Sequence, residues 1–379
     1  MGMLDDIRIL DFSHVFFGPY TTMILGDMGA DVIKIEPPWG EAARLYPPLY
    51  GGMSGVFLYL DRNKRGMTLN LKEPEAREIA IALAEKSDVV VENFKRGTMD
   101  KLGLGYEDVK RVKPDVIYAS LSGFGLDGPY MERTSFAPIA SGIAGWMRLT
   151  GDLIDPDGPP IRSAEWHGDL DPGLWAVISI LGAIRHHDKT GEGQLVDVSQ
   201  LDTMIAQTGV SITRYTMSGE LPWQAKKKYM GLDTFGMFEA ADGWVYIAAD
   251  PYMAPRLMKG MGVESLEKTE ELREWASTRS VNEIVEALVA ESIPVAPVLS
   301  IDQTLEDPHV RARGIIWEIE HPTAGKVRTP GFPVKMSRTP GTNRLPAPQL
   351  GQHNEEILTE LLGYTKEQVA DLRKAGIFG

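Results

Sequence analysis

Cysteine is absent from the 379-residue sequence. Its absence excludes disulfide bonds, thiolate metal sites and a cysteine nucleophile. Positive charge is also scarce, because 39 lysines and arginines face 53 aspartates and glutamates, which leaves a formal net charge of −14. No basic block offsets that charge, so we expect no nucleic-acid partner, although local basic positions can still bind an anionic ligand.

Long apolar runs are absent too. No uninterrupted apolar stretch reaches the roughly 18–20 residues that span a bilayer, and the first residues, Met-Gly-Met-Leu-Asp-Asp, are not typical of a signal peptide. We therefore expect a cytoplasmic protein without a membrane partner. The hydrophobic content of 43% and the charged content of 24% are ordinary for a globular protein, and 379 residues favour two domains.

The first half of the chain alternates between short apolar strands and helices. Strands are predicted at 7–12, 31–36, 67–71, 88–92, 116–121 and 194–198, with helices at 20–28 and 73–85 among them. A strand, a crossover helix and a second strand imply parallel pairing, so the predicted fold class is α/β with a parallel sheet. Open parallel sheets bind ligands at the carboxyl ends of their strands, where the loop at 93–97 lies.

The pattern changes after about residue 219. The predicted elements are a hairpin at 234–239 and 243–248, helices near 254–260, 269–277 and 281–291, a proline-containing edge strand at 293–298 and a hairpin at 315–320 and 325–329. They indicate a smaller α+β domain at 225–325. The lysine run at 226–228 is interpreted as a solvated surface.

One stretch organises the chain. From Leu174 the sequence LWAVISILGAIRHH predicts a buried helix, and Asp171 as N-cap with Pro172 at the first position predicts its start. Asp169 then lies just ahead of a helix N-terminus, which favours a carboxylate by about 0.3–1 kcal/mol at exposed sites. We expect Asp169 to be ionised and able to act as a nucleophile. A simple capping and solubilising role for both aspartates fits the same residues.

The segment Gly123-Phe-Gly-Leu-Asp-Gly128 matches the dinucleotide-binding pattern G-x-G-x-x-G. That fingerprint requires its last glycine to open an apolar helix, whereas Gly128 is followed by Pro-Tyr-Met-Glu-Arg-Thr-Ser. The turn after the first strand lacks the pattern altogether. We therefore interpret 123–128 as a loop and expect no nicotinamide cofactor.

Taken together, these segments resemble the class III CoA-transferase family, the formyl-CoA and carnitine-CoA transferase group of CaiB/BaiF type. The matching segments, in chain order, are GPYTTMILGDMGADVIKIEPP, LDRNKRG, VVVENFKRG, LSGFGLDGPY, GDLDPG, GQLVDVS, EDPHVRARG and APQLGQH. Each segment alone is a weak signal. Their order and spacing across nearly the whole chain carry the resemblance.

The resemblance implies a Rossmann-like large domain, a smaller α+β domain and an interlocked homodimer. The large domain takes its N-terminal part from 1–200, and a linker helix at 201–224 leads to the smaller domain at 225–325. The proline-rich strap and the helices at 326–379 then return to the large domain.

The resemblance also implies the site. It places the family's nucleophilic aspartate at Asp169. The residues that it implies for binding CoA are Val15, Phe16, Leu69, Lys72, Asn93, Phe94, Lys101, Leu102 and Gly123, with Arg44 and Arg96 as weaker candidates. Lysines suit phosphate groups and apolar side chains suit the adenine ring. The CoA thioester and a carboxylic acid are the expected substrates, with no metal and no tightly bound cofactor.

The implied mechanism is CoA transfer through an aspartyl anhydride and an aspartyl-CoA thioester. Backbone amides near Gly168, Gly173 or 123–125 are the expected oxyanion donors. The chain departs from formyl-CoA transferases at Phe16, which replaces a glutamine, and at Phe136-Ala137, which replaces an aromatic–glutamate pair. These departures predict a more apolar acyl pocket and a larger or aromatic acid.

Two alternatives remain open from the sequence. An α-methylacyl-CoA racemase needs two opposed acid/base groups, and the histidine of its His-Asp pair is missing at Phe136-Ala137, with no histidine expected nearby. Asp250 does lie where racemases carry an assisting glutamate. The other alternative is a non-catalytic acyl-CoA-binding subunit.

Overall fold

The computed structural model describes residues 2–224 and 233–379, so the lysine run at 226–228 and the predicted domain start at 225 lie outside the described residues. The chain divides into two compact units, Met1–Ile212 with Ile315–Gly379, and Thr213–Gly314. The smaller unit therefore ends before the hairpin that the sequence assigns to it. His321 in that hairpin bonds to the carbonyl of Ala347 at 3.0 Å, which holds the hairpin in the larger unit.

The strands and helices follow one another in a βα order through the larger unit. The strands are β1 (Arg8–Asp11), β2 (Asp31–Glu36), β3 (Leu49–Tyr50), β4 (Met53–Ser54), β5 (Lys64–Thr68), β6 (Val89–Glu92), β7 (Ile117–Ser122) and β8 (Gln194–Ser199). The helices are α1 (Phe17–Asp27), α2 (Gly55–Leu60), α3 (Pro74–Glu85), α4 (Thr98–Leu102), α5 (Tyr106–Val112), α6 (Ala137–Ile143), α7 (Trp146–Ile154), α8 (His167–Thr190) and α9 (Gln200–Gln207). The next helix, α10 (Gly209–Ser218), begins in the larger unit and ends in the smaller one.

The remaining elements belong to the smaller unit and to the returning segment. The smaller unit contains β9 (Phe235–Ala240), β10 (Gly243–Ala248), β11 (Val295–Pro297), α11 (Ala254–Met261), α12 (Thr269–Ser277), α13 (Val281–Ala290), α14 (Ile301–Glu306) and α15 (Pro308–Arg313). The returning segment contains β12 (Ile316–His321), β13 (Gly325–Pro330), α16 (Asn354–Glu360) and α17 (Lys366–Lys374).

Six strands form one parallel sheet in the order β5-β2-β1-β6-β7-β8, which confirms the predicted α/β class. Along the chain, β1, β2 and β5 extend the sheet in one direction, and β6, β7 and β8 then extend it in the other. The strand order therefore reverses between β1 and β6. In open parallel sheets this reversal opens a crevice beyond the carboxyl ends of the strands, where ligands bind.

Alternating strand residues fill two apolar layers, one on each face of the sheet. Leu10 and Val90 face a layer that contains Leu83 of α3 together with the chain-terminal helices. Ile9 and its neighbours face the other layer, which contains Ile180 of α8. Phe378 is 2% exposed in the first layer, so the end of the chain completes the core of the larger unit.

The smaller unit has its own core. Its strands form an antiparallel sheet in the order β11-β10-β9, and α11, α12 and α13 supply apolar side chains to it. The proline-containing strand lies at the edge, as its sequence predicts. No helix in the described residues is long and apolar enough to cross a membrane.

Three predicted boundaries are wrong. The strand predicted at 67–71 runs from Lys64 to Thr68, because buried carboxylates hold the charged side chain of Lys64 inside the fold. The linker helix predicted at 201–224 is broken at Thr208 into α9 and α10, and α10 ends at Ser218. The central helix α8 begins at His167, one turn before the predicted start.

Candidate active site

Asp169 is the third residue of α8 and does not precede the helix. Trp166 is the N-cap, and its carbonyl accepts from the amides of Asp169 and Leu170 at 2.8 and 3.0 Å. Pro172 therefore lies inside the helix, where it cannot donate a backbone hydrogen bond. Asp171 does not cap the helix, because its carboxylate lies 3.3 Å from Nδ1 of His167.

The first turn of α8 packs against the first residue of α6. A Cβ atom built on Gly168 would lie 2.4 Å from the carbonyl oxygen of Ala137 and 2.7 Å from its Cα. Backbone atoms cannot yield to that contact as a flexible side chain would. Residue 168 must therefore be glycine for α8 to hold Asp169 where it does.

A cavity of about 250 Å³ lies at the carboxyl end of the sheet, between the loops that follow β1, β6 and β7 and the first turns of α8 and α9. Asp169 lines this cavity. The predicted CoA-contact residues that also line it are Val15, Phe16, Asn93, Phe94 and Gly123, and the weaker candidate Arg96 is among its lining residues. The structure thus brings these side chains together with the predicted nucleophile.

The other predicted CoA contacts lie outside this cavity. Leu69 is 1% exposed, and Leu102 packs partly buried against the same core. Lys72 lies 5.8 Å from the centre of the Trp39 ring, and Lys101 is exposed on α4. All four follow β5 or β6, so they share the carboxyl edge of the sheet with the cavity. Arg44 forms an ion pair with Glu36 at 2.6 Å.

Among the described residues, the carboxylate of Asp169 has a neutral hydrogen-bond donor and no cationic partner. Nε2 of Gln200 donates to Oδ1 of Asp169 at 2.6 Å, and no described residue forms a salt bridge with Asp169. Burial raises the pKa of Asp169 to about 7, although the hydrogen bond from Gln200 lowers it. The sequence led us to expect an ionised Asp169, and that expectation is wrong near pH 7. The loss of solvation raises the pKa by more than the helix N-terminus lowers it. Near pH 7 both protonation states are populated.

The loop after β1 has a strained backbone. Val15 has φ +70°, which is rare for a β-branched residue, and its amide donates to Oε2 of Glu41 at 2.6 Å. The side chain of Asn93 accepts from the amide of His14 and donates to the carbonyl of His14, both at 2.8 Å. These three hydrogen bonds hold the loop against the cavity and offset the strain.

A buried ionic cluster lies beneath that loop. Lys64 is 3.1 Å from Asp11 and 2.9 Å from Asp61, while Lys34 is 2.8 Å from Glu41, and all five side chains are fully buried. Burial alone raises the pKa of Asp11, but the charges of Lys64 and Lys34 outweigh burial and lower the value to about 2. The cluster links the last residue of β1, the middle of β2 and the first residue of β5.

His14 lines the same cavity as Asp169, so the expectation that no histidine lies nearby is wrong. Its ring contacts Phe94 edge to face at 5.0 Å. Burial lowers the pKa of His14, so the imidazole is neutral at pH 7. The sequence offered only one signal for it, its position directly after a strand, which many unrelated residues share.

The glycine-rich segment at 123–128 is a loop, as predicted. Gly125 and Gly128 have φ of +83° and +80°, and the next helix does not begin until Ala137. Gly123 approaches Ser135 so closely that an added Cβ would lie 2.1 Å from the Cβ of Ser135. The described residues contain no group of three potential metal ligands.

The chain is similar in sequence and in fold to known proteins. The model of CoA-transferase family III matches residues 4–354. Succinyl-CoA:mesaconate CoA-transferase of Haloarcula marismortui is 37% identical over 95% of this chain and 96% of its own. Human succinyl-CoA:glutarate CoA-transferase is 30% identical over 99% and 89% of the two chains. The crystal structure of a CAIB/BAIF family protein from Brucella suis, 28% identical, aligns with a TM-score of 0.85 over 95% of this chain and 99% of its own.

Proposed function

This chain belongs to CoA-transferase family III and moves CoA from an acyl-CoA thioester to a carboxylic acid, and we propose that Asp169 is the nucleophile of that transfer. One observation carries the proposal. Asp169 presents a carboxylate to a cavity at the carboxyl edge of the sheet, and among residues 2–224 and 233–379 no cation neutralises it. A carboxylate without a cationic partner is the stronger nucleophile, because no positive charge stabilises it.

The proposed reaction has two halves. Ionised Asp169 attacks the thioester carbonyl of the donor, the C–S bond breaks, and CoA thiolate leaves a mixed anhydride on the aspartate. The thiolate then attacks the Cγ carbon of Asp169 and expels the donor acid, which leaves an aspartyl-CoA thioester. The acceptor carboxylate attacks the same Cγ, the Cγ–S bond breaks, and a second mixed anhydride forms. The released thiolate then attacks the acceptor carbonyl, which gives the new acyl-CoA and frees the carboxylate of Asp169. Apolar side chains around the cavity exclude water, which would otherwise hydrolyse the anhydride.

The proposed CoA site extends along the carboxyl edge of the sheet. The pantetheine arm would lie in the cavity beside Val15, Phe16, Asn93, Phe94 and Gly123. The adenine and phosphate groups would lie farther along the edge, and their proposed contacts are Leu69, Lys72, Lys101 and Leu102. Support for this division comes from the position of the two lysines, which are absent from the cavity lining and follow β5 and β6.

Trapping tests the nucleophile. During turnover, hydroxylamine should convert Asp169 to a hydroxamate that mass spectrometry locates. Asp169→Ala should abolish transfer while CoA still binds. Asp171→Asn is the matched control, because it removes a carboxylate from the same helical turn outside the cavity lining, and it should keep most of the activity. An active enzyme whose Asp169 is never modified would contradict the proposal.

We propose a dicarboxylic acid as acceptor in place of the larger or aromatic acid that the departures from the family predict. The relatives named above act on succinyl-CoA with mesaconate or glutarate. Lys95, Arg96 and Arg133 line the cavity and can meet a second carboxylate. Rates with succinate, mesaconate and glutarate should exceed those with phenylacetate. The reverse ranking would favour the aromatic acid.

We also propose that the enzyme is a homodimer, interlocked as the family resemblance implies. Helix α10 has no buried residue, and Val210 and Met217 on it are 78% and 83% exposed. Large exposed apolar side chains on one helix are typical of an interface. Light scattering coupled to size-exclusion chromatography should give twice the chain mass at micromolar concentration. We place the dimer in the cytoplasm, which subcellular fractionation tests.

The racemase alternative gains one observation, since His14 and Asp169 line one cavity. Racemisation would incorporate deuterium at the α-carbon of a 2-methylacyl-CoA in deuterated water without any acceptor acid. We expect no such incorporation, because the named relatives transfer CoA. A non-catalytic subunit would keep its role after Asp169→Ala, whereas we expect that substitution to remove transfer.

A further inference from the structure

Gln200 is the residue in direct contact with the proposed nucleophile, and it belongs to neither the resemblance nor the CoA contacts predicted from it. It is the first residue of α9 and is 5% exposed. Its Nε2 donates to Oδ1 of Asp169 at 2.6 Å, while its Oε1 accepts from Oγ of Ser135 at 3.1 Å. A buried amide with both ends engaged is held in one orientation.

The orientation of this amide follows from its neighbours. A carboxylate only accepts hydrogen bonds, so the NH₂ end must face Asp169 and the carbonyl end must face the Ser135 hydroxyl. Ser135 is in turn held by the close approach of Gly123. The loop after β7 thus aims the donor of Gln200 at one oxygen of Asp169 and leaves the other, Oδ2, without a hydrogen bond from any described residue.

We propose that Gln200 is a catalytic residue that stabilises the oxyanion formed on Oδ1 of acylated Asp169. The inference rests on the proposed function, in which Oδ2 attacks the donor and becomes the bridging oxygen of the anhydride. When the CoA thiolate attacks Cγ, the C–S bond forms and the carbonyl electron pair moves onto Oδ1. The tetrahedral intermediate then collapses, the Cγ–Oδ2 bond breaks, and the donor carboxylate leaves with Oδ2.

The acceptor half of the cycle uses the same atom. An acceptor oxygen attacks Cγ of the aspartyl-CoA thioester, the electron pair again moves onto Oδ1, and collapse expels the thiolate. Oδ1 therefore carries the negative charge of both tetrahedral intermediates that form at Cγ. A donor already 2.6 Å from Oδ1 needs no rearrangement to stabilise that charge.

Two of the backbone amides expected for this task, those of Gly125 and Gly173, are engaged elsewhere. The amide of Gly125 donates to Oγ of Ser122 at 2.8 Å, and that of Leu126 donates to Asp197 at 2.9 Å. Gly173 lies inside α8, where backbone amides serve the helix. A side-chain amide supplies the donor in their place.

The test follows the acylated enzyme by rapid quench and intact-protein mass spectrometry. Gln200→Leu removes the donor and keeps similar bulk, and it should lower kcat by about 10²–10³-fold with little change in KM for the acyl-CoA. Acylated Asp169 should accumulate, because attack on Cγ slows more than attack on the donor carbonyl. The acidic limb of kcat/KM should also move to higher pH, since the hydrogen bond to the carboxylate is lost.

Two further variants guard against a folding artefact. Ser135→Ala frees the amide to rotate and should give a smaller loss in kcat with the same accumulation. Gln207→Leu changes an exposed glutamine at the other end of α9 and should match wild type. If acylated Asp169 is deacylated at the wild-type rate in Gln200→Leu or in Ser135→Ala, the proposed role of Gln200 is overturned and the proposed function still stands. If wild-type Asp169 never becomes acylated during turnover, the proposed function itself fails.

Discussion

Asp11 and Asp169 are two carboxylates at the carboxyl edge of one sheet, and their surroundings have opposite effects. Asp11 is fully buried beside Lys64 and Lys34, and its pKa is lowered to about 2. Asp169 is half-buried beside the neutral amide of Gln200, and its pKa is raised to about 7. Both are deprived of water, so the presence of a buried lysine, not burial itself, accounts for the difference.

The two aspartates differ in role: Asp11 supports the fold, whereas Asp169 is proposed to take part in the reaction. A carboxylate neutralised by a lysine has little nucleophilicity, but it ties segments together. A carboxylate that faces only a neutral donor costs stability when it ionises, but no cation then neutralises its charge, so its ionised form is the stronger nucleophile. We expect substitutions at the two sites to separate in the same way.

The largest expected effect is on activity at Asp169. Asp169→Asn keeps the shape and the hydrogen bond from Gln200 but removes the nucleophile, so kcat should fall on the order of 10⁴-fold or more. Steady-state transfer assays measure the loss, and circular dichroism should show an unchanged fold. Residual transfer above a hundredth of wild type would place the nucleophile elsewhere.

The next effect is on stability at the ionic cluster. Lys64→Met leaves Asp11 and Asp61 buried without this cation and should lower the free energy of unfolding by about 3–5 kcal/mol. Urea unfolding measures the change. Lys189→Met, at an exposed position, should stay within about 0.5 kcal/mol of wild type. Equal stability of the two variants would remove the structural role of the cluster.

The third effect is the pH dependence of transfer. The ionised form of Asp169 reacts, and the fraction in that form falls as pH drops through about 7. The value of kcat/KM should therefore fall tenfold per pH unit below that point, and by about 100-fold at pH 5. Rate profiles at constant ionic strength measure this limb. A limb near pH 4 would indicate a solvated carboxylate.

The smallest expected effect is on the stability of Asp169→Asn. Because the folded-state pKa of Asp169 lies above its ordinary value of 3.8, ionisation favours the unfolded chain. This destabilisation of the fold by ionised Asp169 is absent below about pH 4, grows between about pH 4 and 7, and is complete above about pH 7. Asp169→Asn should therefore be more stable than wild type at pH 8 by roughly 1–3 kcal/mol and equal to it at pH 4. Thermal unfolding at the two pH values measures the difference, and a constant offset would contradict the assignment.

Much of the larger unit could be predicted from local patterns. The alternation of apolar strands and helices indicated the parallel sheet, and the end of the strand at 88–92 marked the loop at 93–97 as part of its ligand-binding edge. Asp169 itself was identified because its neighbours resemble a family motif. These features depend on residues close together in the chain, or on an order of segments that sequence records directly.

The remaining features depend on contacts between distant segments. Lys64 lies in a strand despite its charge because Asp11, 53 residues earlier, neutralises it. Gln200 is 31 residues from Asp169, and nothing in its local sequence indicates that contact. The early start of α8 depends on the fit of Gly168 against Ala137, while Pro172 and Asp171 indicated a later one. Tertiary packing outweighed each local preference.

The fit at Gly168 has a practical consequence for anyone who wishes to change the range of acids that the enzyme accepts. A mutant library that varies every residue near Asp169 would include position 168, where each added side chain should shift Asp169, the proposed nucleophile, and inactivate the clone. Diversity is better placed at Phe136 and Met131, which line the cavity and are not buried.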